Sequence, residues 1–152
     1  NNTHPFFFLN NYWLHNGSIK PFDYNFFKSF VSSRYIDSIK GSTDSELLFY
    51  IFLSFFDKFR NSLIAWKEFF NFLGSLQKEN IVISANIIYL NNKELYISRF
   101  INNEEHPPSL YFDNKNMIIS SEPVTENFKL LDKNSFFRFS LKTGELKRLK
   151  SS

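Results

Sequence analysis

Between Thr43 and Asn61 the chain reads TDSELLFYIFLSFFDKFRN, with apolar side chains almost all the way round a helix of 3.6-residue period. That pattern predicts a deeply buried helix. Thr43 is placed to cap it, and Glu46, three residues on, completes a capping box. A second helix is predicted over Tyr24 to Tyr35, where Phe26, Phe27, Phe30 and Val31 share one face. A third runs from Leu63 to Gln77, with Leu63, Trp66, Phe70 and Leu73 on one side. Ahead of these, PFFFLNNYWLH reads as two short strands around Asn10-Asn11. After Glu79 the texture changes to strands. IVISANIIYL and ELYISRF form one predicted hairpin, SLYFD and NMIISS a second, SFFRFSL and ELKRL a third. Pro107-Pro108 separates the first two and forbids helix there. About eight strands and three helices, joined by local hairpins, predict an α+β fold with mainly antiparallel sheet in a single domain over residues 1–152.

Composition narrows the picture. The 152 residues hold 30 aromatics, 21 of them Phe, set among many Asn, Lys and Ile; this reads as a coding bias toward AT-rich codons, not a Phe-specific function. The formal net charge of +3 gives no reason to invoke nucleic acid. Zero cysteines exclude disulfides, Cys-ligated metals and a Cys nucleophile within these residues. His4, His15 and His106 match no metal spacing, so no metal is expected. The longest nearly apolar run, LLFYIFLSFF, has ten residues where a membrane span needs about twenty. No basic region precedes an apolar one as in a signal peptide, so the expected location is cytoplasmic. The sequence opens on Asn1 and not Met, as expected of a piece of a longer product or of a cleaved one.

Two polar knots interrupt these elements. In HNGS, Asn16-Gly17 reads as a tight turn, as a glycosylation acceptor like Asn1-Asn2-Thr3, or as an oxyanion hole. In the last reading the Asn amide and the Gly backbone N–H face a developing negative oxygen, and Gly allows close backbone approach. In GSTDSE, the bland reading is a capped helix start. The functional one is Asp44, kept ionised in the first helical turn and suited to a substrate ammonium group. Ser18, Ser42 and Ser45 lie near these knots, but no histidine is placed in sequence to activate one as a recognisable triad.

Taken in order, NTHPF, then W-x-HNG-x-I, then G-x-TDSE-x-LF, then SEP resemble the class II glutamine amidotransferases. The match is strongest with the single-domain branch that includes γ-glutamyl amide hydrolases. The pieces are Asn2 to Phe6, Trp13 to Ile19, Gly41 to Phe49 and Ser121 to Pro123. The resemblance implies a four-layer αββα sandwich of the N-terminal-nucleophile hydrolase type, of which this chain is the carboxyl-terminal portion. It implies an amino-terminal cysteine, absent here, that attacks the side-chain amide of glutamine or a γ-glutamyl compound. By similarity Asn16 and Gly17 form the oxyanion hole, Asp44 holds the substrate α-amino group, and Thr3 and His4 lie on the substrate wall. All are expected to line one concavity. No cofactor and no membrane partner is implied. Without the cysteine the chain alone is expected to be inactive, and to associate with itself or with a missing amino-terminal segment. Two alternatives stand beside this reading. One is a non-catalytic relative that keeps the fold as a ligand-binding or interaction module. The other is an unrelated Phe-rich binding domain.

Overall fold

A computed structural model describes residues 3–149. The apolar runs build three layers: helices, a six-stranded sheet and a three-stranded sheet. The first strands, β1 (Phe6–Phe8) and β2 (Asn11–Lys20), turn at Leu9-Asn10, both at positive φ. The helices are α1 (Tyr24–Lys28), α2 (Ser33–Ile36), α3 (Asp44–Phe59) and α4 (Ser62–Ser75), and a 3-10 turn over Leu76–Glu79 follows α4. The later strands are β3 (Val82–Leu90), β4 (Glu94–Ile101), β5 (Tyr111–Asp113), β6 (Ile118–Ser120), β7 (Lys129–Leu130), β8 (Ser135–Ser140) and β9 (Leu146–Leu149). The large sheet has the order β1-β2-β3-β4-β8-β9 and the small one β6-β5-β7, with antiparallel pairing throughout.

The three predicted hairpins form as β3–β4, β5–β6 and β8–β9. One of the open readings is excluded and one expectation is corrected. Asn16-Gly17 is no turn: it lies inside the ten-residue β2, paired with Asn86 and Ala85. A flanking run of Trp13, His15 and Ile19 at inward positions outweighs a dipeptide's local preference. The helix expected over Tyr24 to Tyr35 breaks into α1 and α2, because Ser32 caps a new start with its hydroxyl accepting from the Arg34 N–H.

Strand alternation assigns each residue to a layer. Phe6, Trp13, Ile83, Ile87, Tyr89 and Tyr96 face the helices and join Leu48, Phe49, Phe52, Trp66 and Phe69 in the main core. Trp13 is fully buried, its ring 5.4 Å from Phe52 and 5.8 Å from Phe69. On the other face, Ile97 packs against Leu110, Phe112 and Leu131 of the small sheet and its approaches. Among the described residues no helix is long and apolar enough to cross a membrane.

Candidate functional site

The site is built where β2 passes the amino-terminal end of α3. Thr43 caps that helix, its hydroxyl accepting from the Glu46 N–H at 3.3 Å. The second half of the expected capping box is not made. The Glu46 carboxylate is buried and instead accepts from the backbone N–H groups of Lys40 and Gly41 at 2.8 and 2.6 Å. It therefore fixes the loop leading into the helix, and with it the position of Asp44. The Asp44 Oδ1 accepts from the Ser45 backbone N–H at 2.7 Å and lies 3.3 Å from the Ser45 hydroxyl.

His15 comes to this corner from the helix-facing side of β2. Its Nδ1 lies 2.8 Å from the Ser45 Oγ, while its buried Nε2 makes no hydrogen bond of good geometry among the described residues. Sequence spacing did not show this contact: the partners are 30 residues apart, and only the packing of α3 on β2 joins them. The pair is still no triad. Asp44 contacts the serine and not the imidazole, so no acid orients the ring as a hydrolytic base needs. Burial lowers the pKa of His15; Asp44 and the Ser84 carbonyl oppose that shift, and His4 reinforces it. His4 is lowered as well, by burial against the opposing pull of Asp44. One carboxylate thus acts electrostatically on two imidazoles, the buried His15 and the exposed His4.

Gly17 is demanded by strand approach. A Cβ there would lie 1.9 Å from the Ser84 carbonyl oxygen of β3 and 2.9 Å from the His15 Nε2. Asn16 points the opposite way. Its side-chain amide donates to the Ser121 hydroxyl at 3.2 Å, and the Ser109 hydroxyl donates to the Ser121 carbonyl at 2.6 Å. The SEP segment, 105 residues away in sequence, thus lies against HNG. Asn16 is the first member of a polar row in register across the sheet, Asn16–Asn86–Arg99. The buried Asn86 and Arg99 donate to the carbonyls of Ser109 and Leu131 at 2.8 and 2.6 Å and hold the small sheet's approaches. Sequence reasoning missed both, although each is a polar residue inside an apolar strand run.

The expected residues therefore do not share one face. His4, His15, Ser45 and Asp44 gather on the helix side of β2, and the Asn16 side chain lies on the other. What connects them is the edge. β1 pairs with β2 only over Asn11 to Trp13, so beyond Trp13 that side of β2 has no strand partner among the described residues. In an antiparallel strand successive residues direct their N–H groups to opposite sides. Of Asn16 and Gly17, one therefore offers its backbone donor to the open edge. Thr3 lies apart from this edge, in a hollow of about 480 Å³ lined also by Pro5, Asp37, Lys40, Glu46 and Tyr50. Asn2, the first residue of the NTHPF motif, lies outside the described residues, as does Asn1.

No protein-family model matches the chain, and no curated protein matches it. Among solved structures the fold is shared with a glutamine aminotransferase class-II domain protein from Silicibacter pomeroyi, at a TM-score of 0.78 and 20% identity. The superposition covers 99% of this chain and 72% of that one. The α+β, mainly antiparallel sandwich expected from the motifs is thus the fold observed, with a helix layer and both sheet layers present among the described residues.

Proposed function

We propose that the chain carries the substrate end of a glutamine amidotransferase-like site, which takes glutamine or a γ-glutamyl compound at the open edge of β2. The observation that carries this reading is the placement of Asp44, at the amino-terminal turn of α3, against the strand whose next two residues are Asn16 and Gly17. Asp44 clamps the α-amino group of the glutamyl moiety. A backbone N–H of Asn16 or Gly17 at the edge faces the amide oxygen and favours the oxyanion that forms there, and the Asn16 amide joins it by releasing Ser121. His4 closes the amino-group end.

Such a site stabilises what a nucleophile makes and supplies none itself. With no cysteine in its 152 residues, the chain releases no ammonia from L-glutamine. An amino-terminal extension carrying the cysteine implied by the resemblance confers amide hydrolysis. A second reading is a relative that binds a γ-glutamyl ligand without turning it over. Calorimetric titration with L-glutamine, with and without Asp44→Asn, tests what the two share. Binding that survives the substitution unchanged removes the ammonium clamp from both. Ammonia release by the 152-residue chain alone overturns the missing-nucleophile argument.

A further inference from the structure

The Ser45 hydroxyl stands between two groups that both want its proton. His15 Nδ1 is 2.8 Å away and Asp44 Oδ1 is 3.3 Å away, and a hydroxyl has one hydrogen to give. With a neutral imidazole the shorter contact wins: Ser45 donates to Nδ1, and His15 carries its own hydrogen on Nε2. Among the described residues the Asp44 carboxylate then holds the Ser45 backbone N–H, at 2.7 Å, and lone pairs remain to accept a ligand. A proton added to His15 can go only to Nδ1. Nδ1 becomes a donor, the hydroxyl must reverse, and its hydrogen turns to Asp44.

We propose that His15 is a positioning residue for the ammonium site: through Ser45 it leaves the Asp44 carboxylate free while the imidazole is neutral, and it turns the Ser45 hydroxyl onto that carboxylate once the imidazole is charged. The inference rests on the reading of Asp44 as the clamp for a substrate amine. Two effects add in the charged state. A lone pair of Asp44 is occupied, and a cation stands within one side chain of the place the substrate ammonium occupies. Ligand affinity therefore falls on acidification. It does so below the ordinary histidine range, because the ring is buried. The groups acting on His15 are Asp44 on α3, His4 on the segment ahead of β1, and the Ser84 carbonyl on β3. His4 also faces Asp44, so it needs its own control.

The test has two arms. In the first, the imidazole resonances of the free chain are titrated by NMR, with and without Asp44→Asn. Removing the anion lowers the His15 midpoint by about one pH unit or more. An unmoved midpoint overturns the inference whether or not any ligand binds. In the second arm, L-glutamine affinity is followed from neutral to acid pH. The wild-type chain weakens by about tenfold for each pH unit below the His15 midpoint. His15→Asn keeps a neutral acceptor opposite Ser45 and binds without that acid loss. Ser45→Ala cuts the relay and blunts the loss, and His4→Gln retains it. An acid loss that persists in His15→Asn overturns the inference. A midpoint that moves as expected, with no glutamine bound at any pH, overturns the proposed function and leaves the His15–Asp44 linkage standing.

Discussion

Two residues of β2 carry opposite kinds of constraint. Gly17 is constrained by space. A methyl group there meets the Ser84 backbone at 1.9 Å, and a carbonyl inside a paired strand cannot step aside as a side chain does. Gly17→Ala should therefore destabilise the fold by about 1–3 kcal/mol, the range for overpacking a filled site. Urea unfolding measures this, and a variant within error of wild type would show that β2 and β3 approach less closely. His15 is constrained by charge. Its pKa is lowered in the folded chain relative to the usual value of 6.5, so the unfolded chain binds the proton more readily. Its contribution is fully present above that value and is lost as pH falls from it toward the folded-state pKa. The loss runs at up to about 1.4 kcal/mol per pH unit. Unfolding midpoints at a series of pH values should fall in that window, and His15→Asn should flatten the fall. An unchanged profile in that variant would place the proton uptake elsewhere.

At the scale of elements, α3 decides the site because its start is held from two sides. Thr43→Ala removes a cap worth about 1 kcal/mol. Glu46→Ala removes more, since two backbone donors lose a buried carboxylate together; about 2–5 kcal/mol is expected. Comparing the two variants by thermal or urea unfolding checks the order, and a Thr43→Ala loss exceeding the Glu46→Ala loss would contradict the geometry. Much of this was legible in sequence. Period and capping predicted α3, period alone predicted α4, and paired apolar runs predicted the three hairpins. Asp44 was legible as a first-turn carboxylate, because helix position alone argues for it. The His15–Ser45 contact was not, since it depends on the packing of a helix against a strand. Nor was the orientation of Asn16. The dipeptide Asn-Gly signals a turn, and only the inward Trp13–His15–Ile19 alternation reveals a strand that sends Asn16 to the far face. The single helix expected over Tyr24 to Tyr35 failed for a local reason: Ser29 and Ser32 both bond backbone groups and divide it.

For the molecule as a whole, the apolar surface is unevenly covered. Phe7, Tyr12 and Leu14 lie on the face of the large sheet that packs the small one, yet they are 55%, 39% and 40% exposed. Met117, Ile118 and Leu130 of the small sheet and its β5–β6 turn are also exposed. Beside them β2 has an edge with no strand partner among the described residues beyond Trp13. Exposed apolar patches next to open strands favour association. Sedimentation across a dilution series should therefore show mass rising with concentration, and Phe7→Lys with Leu14→Lys should suppress the rise. A concentration-independent monomer in the unsubstituted chain would refute this.

The Asn16–Ser121 bond ties β2 to the segment just after β6 at an exposed position. An exposed neutral hydrogen bond of this kind holds a side chain by only about 0.5–1.5 kcal/mol. An amide nitrogen has two hydrogens, and Ser121 engages one of them. Under the proposed function, a guest at the β2 edge takes the second hydrogen at once and borrows the first by displacing a serine. Asn16 behaves as a latch closed on its own neighbour: aimed in the absence of a guest, and inexpensive to open when one arrives.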